Sequence, residues 1–244
     1  MNIPNYMKKL NPISHQKATQ PEQKLAKQLA WLAKYQRSHS VTNSGFTLIE
    51  VIVVVLIIAI LSTIAAPGWL GFLSQRRVNA ANEDIWSTLQ KAQTEAKRRK
   101  LSYSVSFRTD GGVPQVATYL SKNPDGTDKT IADIDANTWK VLGKDFELKP
   151  GQVVLGTNIT GDNEGDNDIN YALETEEQTI TFDYQGNLAG DTTIPNDGLI
   201  IAAAAPRTDN ADQPIESTMR CVKMRTIIGS MQIGRGAEEC NPDP

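Results

Sequence analysis

The sequence FTLIEVIVVVLIIAILSTIAAPGWLGFL, residues 46–73, decides the fold of this protein. Residues 51–73 form a run of 23 residues without a charged side chain. A helix of about 20 apolar residues can cross the roughly 30 Å hydrocarbon core of a bilayer, so the sequence predicts a transmembrane helix here. A secretory signal cleaved near Ala65 is the alternative. Such signals have apolar runs of only about 7 to 15 residues, and Glu50 interrupts this one.

The charges are divided unevenly on the two sides of this segment. Residues 1–45 contain seven Lys/Arg and one Glu, whereas residues 46–244 contain 18 basic and 27 acidic side chains. Positive charge before the span predicts a cytoplasmic N-terminus and a body on the other side of the membrane, although Arg76 and Arg77 follow the span. The acidic body argues against general binding to a phosphate backbone.

The two histidines of the chain, His15 and His39, both precede the apolar run. A body without histidine cannot form a Ser-His-Asp triad, a Cys-His pair or a histidine-ligated metal site from its own side chains. The sequence therefore predicts no catalytic residues, no metal ligands and no cofactor. We expect that the protein is not an enzyme.

The residues after the apolar run continue in a helical pattern. Pro67 removes a backbone hydrogen bond inside the run, so we expect a helix kink there. Beyond it, apolar side chains recur at helical spacing, as expected for an amphipathic helix that packs on a sheet. They are Val78, Ile85, Leu89, Ala92 and Ala96.

After Lys100 the pattern changes to alternation, which predicts a strand over residues 101–107 with one buried face. Asp110-Gly111-Gly112 predicts a hairpin turn to a second strand, 113–120. Further strands are predicted at 152–155, 178–184, 199–204 and 220–228, whereas 123–128 and 161–170 are expected to be turn-forming acidic loops. The prediction is an α+β fold, with a long N-terminal helix packed on an antiparallel β-sheet head.

Four regions follow from these patterns. We expect a basic leader at 1–45, a transmembrane half of the helix at 46–73, an amphipathic half at 74–100, and a β-rich head at 101–244. Cys221 and Cys240 lie 19 residues apart near the C-terminus. They suggest a disulfide if the body is in an oxidising compartment, and two unpaired buried thiols if it is not.

The hexapeptide Gly45-Phe46-Thr47-Leu48-Ile49-Glu50, followed by an apolar helix containing Pro67, resembles the class III signal of type IV pilins and pseudopilins. The resemblance implies that a prepilin peptidase cuts after Gly45 and that the new N-terminus, Phe46, is methylated. A pilin-like fold and an inner-membrane precursor are also implied. A glycine at the scissile bond allows close approach to the backbone, so a side chain there should obstruct cleavage.

Glu50 is the one carboxylate inside the apolar segment, where an unpaired charge costs several kcal/mol. The amine freed at Phe46 of another subunit would neutralise it and set the axial register during filament assembly. The alternative is a carboxylate that reaches the lipid headgroups near the start of the helix.

The body resembles the GspH/FimT group of minor pilins and pseudopilins in segments 89–97, 101–107, 179–186 and the strand ending at Arg235. This group implies a type II secretion pseudopilus or a type IV pilus, with DNA uptake in some members. DNA-binding members carry a Gly-Arg-x-Arg motif, but here Ala237 replaces the second arginine and Glu238 and Glu239 follow. Possible DNA contacts, opposed by that departure, are Arg220, Lys223, Arg225 and Arg235.

The acidic run Asp162, Glu164, Asp166 and Asp168 offers oxygen ligands for calcium, but its spacing does not fit an EF-hand, and a solvated loop is the simpler interpretation. The predicted function is a minor pilin or pseudopilin whose partners are a prepilin peptidase, other pilin subunits and the inner membrane. After assembly it would lie in a periplasmic or extracellular filament. The alternatives are a DNA-binding minor pilin and a signal-anchored envelope protein that is not assembled.

Overall fold

The computed structural model describes residues 45–171, 173, 178–190 and 192–241. The leader predicted at 1–45 lies outside these residues except for Gly45. The chain divides into two compact units, with the boundary between Ala59 and Ile60. The first unit contributes the start of the long helix, and the second contributes the rest of that helix and both β-sheets.

Helix α1 spans Leu48–Arg99, close to the predicted 46–100. Its last turn contains Lys97, Arg98 and Arg99, whose positive charges suit the negative end of the helix dipole. Lys100 then adopts a left-handed conformation with φ 59°, which ends the helix.

The predicted stripe on the second half of α1 is confirmed. Its side chains are fully buried together with Ala81, which lies on the same side. In the second unit they pack against apolar side chains of both sheets, including Phe107 and Phe182 of one and Val222 of the other. Burial of one apolar stripe therefore joins the helix and both sheets in a single core.

The two sheets are antiparallel throughout. The first has the strand order β3-β2-β1-β6, and the second has the order β5-β4-β7-β8-β9. The strands are β1 (Tyr103–Asp110), β2 (Val113–Leu120), β3 (Lys140–Val141), β4 (Val154–Ile159), β5 (Gly165–Asn170), β6 (Thr179–Phe182), β7 (Leu199–Ala204), β8 (Arg220–Met224) and β9 (Met231–Arg235). A one-turn helix, α2 (Gly236–Cys240), follows β9.

Several predicted elements agree with the structure. The strands predicted at 113–120 and 199–204 have the observed bounds of β2 and β7. The predicted hairpin turn joins β1 to β2, with φ 57° and 76° at Gly111 and Gly112. Two consecutive positive φ angles are what a two-residue hairpin turn requires, and glycine adopts them without steric cost.

The prediction that β1 has one buried face is wrong, because both faces are buried. Ser104 and Ser106 alternate with Val105 and Phe107 but are covered as well. Ser104 pairs with the hydroxyls of Ser121 and Thr181 at 2.9 and 2.8 Å. Ser106 pairs with Tyr119 and Thr179 at 2.7 and 2.6 Å. Hydroxyls that satisfy one another can be buried at low cost, which the alternation alone does not reveal.

Two further predictions need correction. The segment predicted as a loop at 161–170 contains strand β5, which pairs with β4 through an irregular register. The strand predicted at 220–228 ends at Met224, because the chain turns at Gly229, where φ is 69° and its N–H bonds to the Thr226 carbonyl at 2.9 Å. The chain returns as β9, an edge strand of the second sheet.

The second sheet has a smaller apolar cluster on the face opposite the helix. It contains Ile200, Ala202 and Cys221, and the half-buried side chains of Ile169 and Tyr171 pack against it. The aromatic ring of Tyr171 lies directly over Gly156, where any β-carbon would overlap it. Burial, aided by the negative charge of Glu216, raises the pKa of Tyr171 to about 12.

This burial predicts a pH effect on stability. Because the folded-state pKa of Tyr171 is above the ordinary value of 10.0, its contribution is present below pH 10 and is lost as the pH rises towards about 12. We expect a tyrosinate absorbance titration of the full chain in detergent to lose its latest step in Tyr171→Phe. The free energy of unfolding, measured in urea, should also fall less over this pH range in the variant than in the unaltered protein. Loss of a step near pH 10 instead would contradict the prediction.

Candidate processing and assembly site

The peptide Gly45–Phe46 lies immediately before α1 and is exposed. A β-carbon built on Gly45 meets no described atom within 4 Å, and the backbone there is not left-handed. The Phe46 side chain is 80% exposed. The described fold therefore has no internal need for glycine at position 45, and the peptide bond is open to a large partner.

Thr47 caps the start of α1. Its Oγ1 accepts a hydrogen bond from the Glu50 N–H at 3.3 Å, and its carbonyl accepts one from the Val51 N–H at 3.2 Å. The Thr-x-x-Glu spacing is that of a capping box, in which the glutamate would bond back to the cap residue. Only the threonine half of that box is formed here.

The Glu50 carboxylate is exposed in the first turn of α1. Among residues 45–171, 173, 178–190 and 192–241 it has neither a hydrogen-bond donor nor an ion-pair partner. Large apolar side chains surround it on the helix, including Ile49 and Val51. An acceptor so placed can bind a cation or amine supplied from outside the described chain, and such a pair strengthens in an apolar setting.

The first half of α1 exposes apolar side chains on all sides. The helix is long and apolar enough to cross a membrane. A helix that is apolar all round is suited to lipid or to other helices rather than to water. Its exposed large side chains from 48 to 72 are Leu48, Ile49, Val51, Ile52, Val53, Val54, Val55, Leu56, Ile57, Ile58, Ile60, Leu61, Ile64, Trp69, Leu70 and Phe72, and Phe46 just before the helix is exposed as well.

Helix α1 continues through position 67 without interruption. A proline inside a helix removes one backbone donor, and a bend is the usual accommodation. The kink at Pro67 stays a prediction.

The predicted cysteine pair is a disulfide in the structure. Cys221 lies in β8 and Cys240 ends α2, with 5.7 Å between their Cα atoms. Both residues are fully buried. The bond ties the C-terminal turn to the second sheet, and Gly236 N–H adds a 2.9 Å hydrogen bond to the Met219 carbonyl beside it.

Gly234 has a role that sequence analysis missed. It is the register partner of Cys221 in the β8–β9 pair. A β-carbon on Gly234 would lie 2.6 Å from the Cys221 Sγ and 3.2 Å from the Cys240 Sγ. The glycine of the Gly234-Arg235 dipeptide is therefore explained by the disulfide that packs against it.

The four basic residues named as possible DNA contacts do not form one patch. Arg220 and Arg235 are register partners across β8 and β9. Lys223 points to the opposite face of the sheet, by the alternation of a strand. Arg225 lies in the turn after β8, where its Nη2 donates to the Asn196 carbonyl at 3.3 Å. DNA contact by these residues stays a prediction.

The acidic run at 162–168 is spread along an exposed edge. All four carboxylates are exposed, and Asp166 and Asp168 lie in edge strand β5. In the part of the chain that the structure describes, no three His, Cys, Asp or Glu side chains come together in a group that could hold a metal ion. The run therefore resembles a solvated strand edge.

Two glutamines attach α1 to the head, and no sequence signal marks them. Gln75 Nε2 donates to the Thr218 carbonyl at 3.3 Å. Gln93 Nε2 donates to the Gly186 carbonyl at 2.8 Å and to the Gly229 carbonyl at 3.2 Å. The cap at Thr47 was also missed, although its Thr-x-x-Glu spacing can be read from the sequence.

Comparison with known proteins identifies the N-terminal segment. Residues 42–66 match the family described as the prokaryotic N-terminal methylation motif. This motif is the class III signal of type IV pilins and pseudopilins, so the resemblance at Gly45–Glu50 is confirmed. No curated protein and no solved structure matches the chain.

The contact between Gly234 and the disulfide predicts a coupled effect on stability. Gly234→Ala should lower the free energy of unfolding by about 2 kcal/mol, because the added methyl group overlaps the sulfur atoms. In a Cys221→Ala/Cys240→Ala background the same change should cost less than about half of that, because the space is vacated. Urea unfolding of the four proteins in detergent measures the coupling. Equal costs in both backgrounds would show that the disulfide is not what excludes a side chain at 234.

Proposed function

We propose that this protein is a minor pilin or pseudopilin, a structural subunit that is processed after Gly45 and assembled into a filament through α1. The observation that carries the proposal is the methylation motif at 42–66, which places the processing signal directly before an exposed, apolar helix. The open surroundings of Gly45 and the exposed Glu50 carboxylate support it.

Cleavage after Gly45 would create the amine that Glu50 needs. The new N-terminus, Phe46, would carry a positive charge at the end of an apolar helix. In an assembled filament that amine would meet the Glu50 carboxylate of a neighbouring subunit, within a core from which water is excluded. A subunit out of register would leave both charges unpaired at a cost of several kcal/mol, so the pair would set the axial position.

The rest of the structure suits display of a head on such a helix. The buried stripe and the two glutamines hold the second half of α1 to the sheets. The Cys221–Cys240 disulfide fits export to an oxidising compartment. The precursor would lie in the inner membrane with its N-terminus in the cytoplasm, and the assembled subunit in a periplasmic or extracellular filament.

The host machine is a type IV pilus or a type II secretion pseudopilus, and we place the head in the GspH/FimT group by the segments named above. The protein would be the substrate of a prepilin peptidase and not itself an enzyme. The DNA-binding alternative has less support, because the structure separates Lys223 and Arg225 from the Arg220–Arg235 pair.

The first test is N-terminal processing. With an active prepilin peptidase, intact-mass and N-terminal peptide analysis of the membrane-extracted protein should find a chain that begins at methylated Phe46, and without the peptidase a chain that begins at Met1. Gly45→Val should block cleavage, because the added side chain hinders approach to the backbone. Gly71→Val is the matched control, since Gly71 is also free of neighbouring atoms within 4 Å.

Two outcomes would contradict this proposal. A chain that keeps Met1 beside an active peptidase would leave a signal-anchored envelope protein as the function. A chain that begins near Ala65 would indicate an exported soluble domain without the apolar helix.

A second test concerns Glu50. Glu50→Gln should be cleaved and methylated normally but should enter filaments poorly, because each subunit loses about 3 kcal/mol when the buried amine has no carboxylate. The measurement is the amount of the chain in the sheared filament fraction relative to the membrane fraction, in cells that contain the filament machinery. Glu83→Gln removes an exposed charge from the second half of α1 and should assemble normally. Normal assembly of Glu50→Gln would exclude the register role.

A further inference from the structure

A set of groups suited to a membrane interface lies where the apolar run of α1 ends. Trp69 and Phe72 are 65% and 51% exposed. Tryptophan, whose ring is apolar with one polar N–H, concentrates at the level of lipid headgroups. The Arg76 guanidinium carbon lies 5.1 Å from the centre of the Phe72 ring. Arg77 follows directly. At a rise of about 1.5 Å per residue, about 20 residues cross the hydrocarbon core, so this turn falls at its boundary.

The head meets α1 at this same turn. Gln75 Nε2 donates to the Thr218 carbonyl at 3.3 Å and to Asn79 Oδ1 at 3.2 Å. Three residues further along the helix from Gln75, Val78 is fully buried in the main core. Thr218 lies two residues before the start of β8, so the first residue of that strand, Arg220, is held close to the end of the apolar run.

Arg220 and Arg235 add two more positive charges there. They are directly opposite each other in the β8–β9 register, so their side chains leave the same face of the sheet. Arg220 is half-buried and its Nη1 donates to the Met219 carbonyl at 2.7 Å, whereas Arg235 is exposed. Within the described ranges neither guanidinium forms an ion pair.

Holding the two arginine side chains side by side lowers the stability of the fold unless an anion lies between them. Like charges directly opposite each other on two strands destabilise the pair. Burial, and then the charge of Arg235, lowers the pKa of the Arg220 guanidinium. Glu238 and Glu239 are close in sequence, but the Glu239 carboxylate accepts the Arg235 backbone N–H at 2.7 Å at the start of α2. An anion from outside the chain would relieve the repulsion.

We propose that Arg76, Arg77, Arg220 and Arg235 form a binding surface for the headgroups of anionic phospholipids at the end of the head next to the apolar run. The proposal rests on membrane insertion of α1, which the proposed function includes. The position favours a lipid phosphate over a nucleic acid, because a bilayer at this boundary brings phosphates to the arginines and hinders access of a duplex. In the precursor this contact would hold the head against the bilayer until assembly.

The test uses the full chain in micelles of a non-ionic detergent. Dihexanoyl phosphatidylglycerol or dihexanoyl phosphatidylcholine is added at equal concentrations, and bound lipid is counted by native mass spectrometry. Each basic side chain near a lipid surface contributes about fivefold in affinity for anionic lipid, so Arg220→Gln/Arg235→Gln should bind phosphatidylglycerol about 25-fold more weakly. Arg220→Lys/Arg235→Lys keeps both charges and should keep most of the binding.

The matched control is Lys223→Gln/Arg225→Gln, which removes two positive charges from the same part of the chain but leaves the four arginines of the proposed binding surface unchanged. It should bind like the unaltered chain, and phosphatidylcholine should bind weakly to all variants. The proposal is overturned if phosphatidylglycerol and phosphatidylcholine bind equally, or if the control loses as much as the arginine pair. It is also overturned if a short DNA duplex displaces phosphatidylglycerol at lower concentration than free lipid does. Any of these results leaves the processing test at Gly45 unaffected, so the two proposals fail separately.

Discussion

The contact between one side of α1 and two β-sheets holds this protein together. Six apolar side chains on the second half of the helix are fully buried, and three of them are alanines. Small side chains let the sheets approach the helix closely, while Ile85 and Leu89 fill the space between them with Phe107 and Phe182. Each sheet would otherwise expose an apolar face to water, so neither sheet is complete without the helix. The two sheets are therefore held in place by the second half of α1.

Most of the polar side chains buried around this core are hydrogen-bonded, whereas Asn82 Oδ1 and Gln178 Oε1 are buried without a partner among the described residues. The second buried face of the first sheet is a set of hydroxyls in which Ser104 and Ser106 of β1 each bond to one hydroxyl of β6 and to one at or near the end of β2. Asn163 covers the edge of that sheet, with its amide nitrogen bonded to the Thr181 and Ala189 carbonyls at 2.8 Å each. In the second sheet the buried Asn158 side chain of interior strand β4 links to the start of β7, where it donates to the Gly198 carbonyl and accepts the Ile200 N–H. The second sheet also relies on the disulfide, which fastens α2 to the face opposite the helix.

The candidate processing site is simple by comparison. Gly45, Phe46 and Glu50 are exposed, and within the described residues the Glu50 carboxylate has no hydrogen-bond or ion-pair partner, so all three are accessible to other molecules. The arginines of the head, by contrast, are positioned by contacts within the fold. Arg220 and Arg235 are placed together by strand register, and the hydrogen bond from Gln75 to the Thr218 carbonyl holds the segment that precedes β8 against α1. A residue at one end of a strand thus acquires a position relative to the helix that its place in the sequence does not reveal.

The sequence by itself determined the helix, its two halves, the buried stripe, the hairpin at Gly111-Gly112 and the processing signal. These features depend on local spacing or on residue type at short range, and a periodic pattern or a motif contains that information directly. Only the tertiary structure decided that both faces of β1 are buried, that 165–170 is a strand, and that Gly234 packs against the disulfide. It also separated Lys223 and Arg225 from the arginine pair. The physical reason is that burial, strand register and hydrogen-bond satisfaction depend on segments far apart in the chain, which meet only when both sheets close on the helix.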